Sequence, residues 1–172
     1  MANIRSDPSV PAKQPLTVLA GPYGHPFHPI LVTVPIGAWV GSLVLDVGSH
    51  ASHDATGLGR AAYWLVLVGI IGAAAAAIFG LLDLLTIPRP SRTFRVGVAH
   101  MTLNVVILGL FVATFVVRHA DGLGRRTSGT ALTLSIIGLA LLGISGWLGG
   151  MLSYRYGVRV ASEATQAEGY RT

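Results

Sequence analysis

Four long apolar segments constrain this chain more than any other feature of its sequence. They contain 18, 27, 22 and 23 residues with at most one charge each, and they cover residues 30–47, 61–87, 96–117 and 130–152. A helix rises about 1.5 Å per residue and a bilayer core is about 30 Å thick, so roughly 20 residues span it. Each segment therefore predicts a transmembrane helix. The first is slightly short and contains Pro35, which favours a kink.

The composition argues against a soluble alternative. The chain is 52% hydrophobic and 11% charged, and its mean hydropathy is +0.64. A soluble domain carries about 25% charged residues, and its helices have a polar face. Cysteine is absent, which excludes disulfides, thiolate metal ligands and cysteine nucleophiles. The net charge of +5 comes from arginines in short loops, so we expect a lipid bilayer and not a nucleic acid as partner.

Short connections predict the order of the helices. Residues 48–60, 88–95 and 118–129 join successive segments, which favours an all-α, four-helix transmembrane bundle that runs up-down-up-down. Glycines such as Gly146 and Gly150 allow close helix packing, either within the bundle or in a homo-oligomer. We find no repeat of 20–50 residues. We expect a flexible cytosolic tail at 1–20, a membrane domain at 21–160 and a C-terminal tail at 161–172.

The distribution of basic residues predicts the orientation. One predicted end of the bundle carries Lys13, Arg89, Arg92, Arg95, Arg155 and Arg159, and the other carries Arg60, Arg118, Arg125 and Arg126. Because positive charge accumulates on the cytoplasmic side, we expect both termini in the cytoplasm of a bacterial cell, with the chain in its inner membrane. The first 20 residues lack the apolar stretch of a cleavable signal peptide.

Polar residues beside the apolar segments form the main candidate site. Asp83 lies near the end of the second segment and His100 near the start of the third, so both belong at the same depth. Asn104 shares a helix face with His100. His25 and His28 precede the first helix, each followed by a proline that keeps it extended. Tyr154 and Arg155 emerge at the same predicted end, so all seven residues could form one polar cluster.

This cluster permits three functions. Imidazoles bind haem iron and transition metals, and a carboxylate can orient them, so His25, His28 and His100 with Asp83 and Asn104 could hold haem b or a metal in a redox-linked subunit with a redox partner protein. In a structural or assembly protein, Asp83 and His100 would only lock the bundle. In a small proton or ion pathway, they would relay charge. No motif of an enzyme is present, so we expect no catalytic activity.

A second polar group belongs at the opposite end. Asp46, His50 and Asp54 recur at four-residue spacing, with His53 and His119 nearby. A metal site of Asp46, His50 and His53 is one interpretation. A solvated loop is the favoured one, since Gly48 and Ser49 disfavour a continuing helix.

The chain resembles a bacterial membrane family known as domain of unknown function 2231. The similarity begins with "GHPFHPILVTVPIGAWVGSLVLD", continues through "RVGVAHMTLN" and ends with "GWLGGMLSYRYGVRV", so it spans about residues 21–160. The resemblance implies a four-helix integral membrane domain. Some members resemble fusions with a Rieske iron–sulfur domain, which implies an electron-transfer setting. By position, the resemblance points to His25, His28, Asp46, Asp83, His100 and Asn104.

Overall fold

The computed structural model describes residues 7–123 and 126–171, and every regular element in these ranges is helical. Four helices are long and apolar enough to cross a membrane, which confirms the predicted all-α transmembrane bundle. The helices are α1 (Val10–Lys13), α2 (Phe27–Leu31), α3 (Thr33–Ala51), α4 (Ala55–Leu84), α5 (Arg92–Asp121), α6 (Gly129–Gly150) and α7 (Glu163–Glu168). A 3₁₀ turn covers Val18–Ala20, and a π-helical turn, Met151–Arg155, extends α6.

Three of the long helices begin at side-chain caps that lie outside the apolar segments. Asp54 accepts from the backbone of Gly57 at 2.9 Å, Ser91 from Phe94 at 3.0 Å and Ser128 from Ala131 at 3.3 Å. Capping satisfies amide groups that a helix start leaves free. These three helices therefore begin before the predicted apolar segments, whereas α4 ends at Leu84 and α6 at Gly150, slightly before their segments do.

The first membrane span is broken near its start. Helix α2 ends at Leu31 and α3 begins at Thr33, with Val32 as the junction. Pro35 lacks the N–H that would bond to the Leu31 carbonyl, and its ring crowds that carbonyl. The break agrees with the kink that the sequence predicts. Phe27–Ala51 together form one span of 25 residues.

The bundle consists of two antiparallel hairpins. Helix α3 packs mainly on α4, and α5 packs mainly on α6; the α4–α5 and α3–α6 contacts close the ring. The described terminal segments, residues 7–26 and 156–171, and the α4–α5 connection lie at one end, which we call the terminal end. The α3–α4 connection and the described residues of the α5–α6 connection lie at the other end, which we call the loop end.

An aromatic stack fills the centre of the bundle. The rings of Trp39 and Phe111 lie 3.9 Å apart between centroids and are nearly parallel, at 4°. Both side chains are buried, and Val66 and Ile107 complete the cluster. Gly69 and Gly138 face this stack, where an added Cβ would collide with Trp39 or with Phe111. The two glycines therefore let α4 and α6 approach the rings.

Part of the expected N-terminal tail packs on the terminal end. Ala12 and Ala20 are buried, and Ala12 belongs to a second apolar cluster with Leu84, Ile87 and Val158. Ala12 and Ala20, within the segment expected to be a flexible tail, therefore contact the bundle. Residues 1–6 of that predicted tail lie outside the described residues, as do Arg125 and Thr172.

Candidate functional site

Two histidines from different hairpins meet near the terminal end of the bundle. The rings of His28 in α2 and His100 in α5 lie 6.4 Å apart between centroids and are perpendicular, at 89°. Both side chains are half-buried. The break at Val32 sets the direction of α2, so Pro35 helps to position His28. The sequence predicted a common depth for these residues, and the structure brings them together.

A backbone carbonyl of α4 holds His28. Its Nδ1 lies 2.8 Å from the carbonyl oxygen of Ala76. A carbonyl only accepts, so Nδ1 carries the proton and donates. The ring rests on Gly80, where a Cβ would lie 2.8 Å from His28 Cε1. Gly80 therefore provides the space that the imidazole occupies.

Helix α6 holds His100 in a similar way. Its Nδ1 lies 2.9 Å from the Ser145 carbonyl oxygen and 3.0 Å from Ser145 Oγ. The ring packs on Gly149, where a Cβ would lie 3.1 Å from His100 Cε1. On the other side, Asn104 Nδ2 donates to the His100 carbonyl at 2.8 Å and lies 3.2 Å from His100 Nε2. Asn104 thus reaches the ring nitrogen that Ser145 leaves free.

Both imidazoles therefore keep the proton on Nδ1 and a lone pair on Nε2. Histidines that bind metals usually donate their other ring nitrogen to a carbonyl or carboxylate, which fixes the tautomer. His28 Nε2 has no hydrogen-bond partner in the described part of the chain. His100 Nε2 accepts from Asn104, and any metal bound there would replace that amide contact.

Asp83 pairs with Arg159 and not with His100, which corrects the expected Asp83–His100 lock. Arg159 Nε lies 2.9 Å from Asp83 Oδ1, outside the angular range of a hydrogen bond, and both residues are buried. An arginine carries a permanent positive charge that offsets the charge of a buried carboxylate, whereas a neutral histidine does not. The sequence analysis used Arg159 only as a topological charge. Because Arg159 is far from Asp83 in the sequence, no local pattern indicated that these two residues pair.

Arg159 also joins both terminal segments to the bundle. Its Nη2 donates to the carbonyls of Ala20 at 2.9 Å and Gly21 at 3.0 Å, and its backbone N–H donates to Ala12 at 2.9 Å. The residue adopts a left-handed backbone conformation, with φ of 60°. Such strain persists only where surrounding contacts hold it. Arg159 Nη1 is buried and finds no hydrogen-bond partner among the described residues.

Other members of the predicted cluster lie apart from the histidine pair. His25 is exposed, as are Tyr154 and Arg155 on the π-helical turn. In residues 7–123 and 126–171, no group of three or more His, Asp or Glu side chains is placed to hold a metal ion. The structure thus brings together His28, His100 and Asn104, with Asp83 on the adjacent turn of α4 after Gly80.

The loop end contains a buried ion pair where the sequence analysis favoured a solvated loop. Helix α3 continues through Gly48 and Ser49 to Ala51, and Asp46 is fully buried. Arg118 donates to both carboxylate oxygens of Asp46. Thr127 donates to Asp46 Oδ1 at 2.7 Å and accepts from Arg118 at 3.1 Å. The solvated-loop interpretation was wrong for Asp46 because Arg118, 72 residues away, compensates its charge.

The histidines at the loop end do not join Asp46 in a metal site. His50 is exposed, and its Nε2 lies 3.1 Å from the Thr127 carbonyl oxygen. His53 is exposed. His119 Nδ1 lies 3.3 Å from the hydroxyl oxygen of Tyr63. The ion pair between Asp46 and Arg118 is therefore the main polar feature of this end.

Comparison with protein-family models identifies a family that covers most of the chain. A family model described as "Predicted membrane protein (DUF2231)" matches residues 24–162, which include both histidines, both ion pairs and all four long helices. No curated protein and no solved structure matches the chain.

Proposed function

This chain belongs to the DUF2231 family of predicted membrane proteins, and we propose that it is a redox-linked membrane subunit that binds a transition metal between His28 and His100. The metal is either haem iron or a bare ion, since both use imidazole ligands. The observation that carries the proposal is the approach of two Nδ1-protonated imidazoles, with ring centroids 6.4 Å apart. A metal shared by the two rings would lie between their Nε2 atoms. Each nitrogen would be about 2 Å from the metal, so the two nitrogens would be at most about 4 Å apart, which is less than the distance between the ring centroids.

The surroundings of the histidine pair support this proposal. Ionisable side chains within membrane spans are costly and mark functional sites by default. Each ring is fixed by a backbone carbonyl, which is the usual outer contact of a metal ligand. The positions of α4 and α6 that contact the two rings carry small side chains: Ala76, Gly80, Ser145 and Gly149. They let both imidazoles pack closely against the helices.

Arg159 adds a feature that fits haem in particular. Haem carries carboxylate groups, and arginine binds carboxylates by charge-assisted hydrogen bonds. Arg159 Nη1 is buried without a partner in the described residues, and its ion-pair partner Asp83 lies three residues after Gly80. Haem, when bound, would supply one-electron chemistry, whereas the chain's own residues would ligate and orient it and bind its carboxylates. Electron exchange would also require a redox partner protein.

The aromatic stack disfavours the alternative of a continuous proton pathway. The rings of Trp39 and Phe111 fill the axis between the histidine pair and the Asp46–Arg118 pair. Both rings are buried and lack groups that exchange protons readily. The stack closes the histidine site on the side of the loop end. This arrangement is consistent with a bound metal that exchanges electrons from the terminal end.

The spectrum and metal content of the detergent-purified protein, expressed with haem and metals supplied, test the proposal. A Soret band that shifts on reduction, lost in His28→Ala and His100→Ala, would identify haem. Stoichiometric metal without that band, lost in the same variants, would identify a bare ion. His25→Ala is the matched control, because His25 lies in the same HPFHP sequence but is exposed. A wild-type protein with neither haem nor metal would overturn the proposal.

We also propose an inner-membrane location with both termini in the cytoplasm. Arg89, Arg92, Arg95 and Arg155 are exposed at the terminal end, whereas Arg118 at the loop end is neutralised by Asp46. This ion pair increases the charge difference that orients a membrane protein. Single cysteines introduced at Ala2 and at His53, labelled with an impermeant reagent in intact cells, test the orientation. Labelling at position 2 and not at position 53 would overturn it.

A further inference from the structure

Three contacts along the bundle axis join residues with one constant separation. His28 faces His100, Trp39 stacks on Phe111, and Asp46 pairs with Arg118. The two residues of every pair lie 72 positions apart in the chain. Each contact thus joins a residue of the first hairpin to the residue at the equivalent position of the second hairpin.

The sequences around these contacts are similar when they are aligned at that separation. Over 19 positions, residues 28–46 and 100–118 share six identical residues: His28, Leu31, Val34, Gly37, Val40 and Val44 with their counterparts. Further pairs are close in chemistry, such as Ser42 with Thr114, and both of these side chains are fully buried. The similarity therefore extends to residues between the axial contacts.

Helices α4 and α6 correspond in the same way, with a separation of 69. Every buried residue of α6 has a buried counterpart on α4 at this separation: Ala131 with Ala62, Ser135 with Val66, Gly138 with Gly69, and Ser145 with Ala76. Gly69 and Gly138 face the aromatic stack, and Ala76 and Ser145 supply the carbonyls that hold the two histidines. Corresponding residues therefore perform the same packing function.

The arrangement of the helices completes a two-fold relationship. Helices α3 and α5 both run from the terminal end to the loop end, and α4 and α6 both return. Rotation by half a turn about the bundle axis exchanges the two hairpins and exchanges the α4–α5 contact with the α3–α6 contact. In membrane proteins, parallel repeats are related by an axis along the membrane normal, and ligands bind where the repeats meet.

We infer that the bundle is two copies of one helical hairpin, residues 27–84 and 99–153, related by a pseudo-two-fold axis, and that the ligand of the histidine pair is one metal group per chain, shared by the two copies on this axis. The part concerning the ligand rests on the proposed function. The repeat itself rests on the packing and does not depend on a bound metal.

The residues of the axial pairs follow the pseudo-two-fold symmetry to different degrees. His28 and His100 are identical, as a shared ligand site requires. Asp46 and Arg118 carry opposite charges, because two identical charges at this buried position would repel each other. The ion pair therefore makes the two copies complementary at the loop end, where each hairpin can pair only with the other.

An exchange of the stacked residues tests the repeat. Trp39 donates from Nε1 to the Val66 carbonyl at 3.3 Å, and the counterpart of Val66 is Ser135. We expect Trp39→Phe and Phe111→Trp each to lower the melting temperature in detergent, and the double exchange to recover most of the loss. In the double variant, the indole N–H of residue 111 should exchange slowly with solvent, like that of wild-type Trp39, because the Ser135 carbonyl accepts it.

The control keeps the same aromatic composition but breaks the correspondence. Trp39→Phe with Phe115→Trp places the indole on a neighbouring residue of the same core that is not the counterpart of Trp39. We expect this variant to remain as unstable as the single substitutions. Equal recovery in the two double variants, no recovery in either, or a rapidly exchanging indole at residue 111 would overturn the repeat.

Stoichiometry tests the shared ligand separately. We expect one haem or metal ion per chain, with occupancy reduced by the same factor in His28→Ala and His100→Ala. Two metal groups per chain, or loss in only one variant, would overturn the shared site. An empty wild-type protein would overturn the proposed function, whereas the result of the aromatic exchange would still decide the repeat.

Discussion

Asp46 and Arg118 form a buried ion pair that connects the two hairpins of the bundle at the loop end. Asp46 is fully buried, Arg118 is 6% exposed, and the guanidinium donates to both carboxylate oxygens. A bidentate pair with Thr127 as a further partner satisfies most of the polar atoms that burial removes from water. The pair thus fixes the relative position of α3 and α5.

Removing the cation of this pair should destabilise the bundle strongly. In Arg118→Ala, the Asp46 carboxylate stays buried without compensation, and we expect a loss of about 3–5 kcal/mol in unfolding free energy. Unfolding in detergent micelles measures this loss. Arg126→Ala, at an exposed position of the same end, is the control and should stay within about 0.5 kcal/mol. Asp46→Leu with Arg118→Met should recover most of the loss, and a double variant as unstable as Arg118→Ala would contradict the ion-pair explanation.

Arg159 should control the docking of the N-terminal segment. Arg159→Ala removes the donors to Ala20 and Gly21 and leaves Asp83 buried without a cation. We expect residues 10–21 to exchange amide hydrogens faster and to become accessible to protease. Arg155→Ala, which removes an exposed arginine four residues earlier, is the control. Unchanged protection of residues 10–21 in Arg159→Ala would mean that the apolar contacts of Ala12 suffice.

Two glycines of α6 should respond in opposite directions to the same substitution. In Gly138→Ala, the added Cβ would collide with the Phe111 ring, and overpacking of a core costs about 1–3 kcal/mol. Gly143 has open space around its Cβ position, so Gly143→Ala should stabilise the helix by about 0.5–1 kcal/mol. Melting temperatures of the two variants provide the comparison. Equal signs would show that Phe111 does not pack against α6 as described.

The glycines beside the histidines should affect ligand binding. Gly80→Ala and Gly149→Ala place a Cβ against His28 and His100, which must then move from the carbonyls that hold them. We expect lower haem or metal occupancy in both variants if the proposed site exists. Gly146→Ala is the matched control, since its Cβ position on α6 is open. Full occupancy in Gly80→Ala would place the ligand away from His28.

The tyrosine that contacts the C-terminal segment should titrate at lower pH than usual. The backbone N–H of Ser162 donates to the Tyr23 hydroxyl oxygen at 2.7 Å, and hydrogen bonding by Ser162 lowers the pKa of Tyr23. Because the shift favours the phenolate, this contact should strengthen as pH rises through the Tyr23 pKa. Ultraviolet difference titration against Tyr23→Phe isolates the signal. A Tyr23 pKa at or above the usual value would contradict the contact.

The four membrane spans and their up-down order could be predicted from the amino-acid sequence. Apolar length is a local property, and caps such as Asp54, Ser91 and Ser128 lie beside the helices they begin. The sequence also predicted that His28, His100 and Asn104 lie at the same end of the bundle, because the HPFHP sequence precedes the first helix there and the other two residues share a face near the start of the third. The repeat is present in the sequence too, but its separation of 72 residues is longer than the periods of about 20–50 residues that are typical of repeat proteins.

The partners of the buried charges, in contrast, depend on how the helices pack against each other. Asp83 had His100 close by in the predicted topology, yet Arg159 reaches it from the C-terminal segment. Asp46 is buried because Arg118 lies on the facing side of another helix. The pairing depends on how each helix rotates about its axis. The packing of Trp39 on Phe111 and Gly69, and of Phe111 on Gly138, sets that rotation. Such contacts between distant residues leave no local pattern, so the sequence alone could not choose among the partners.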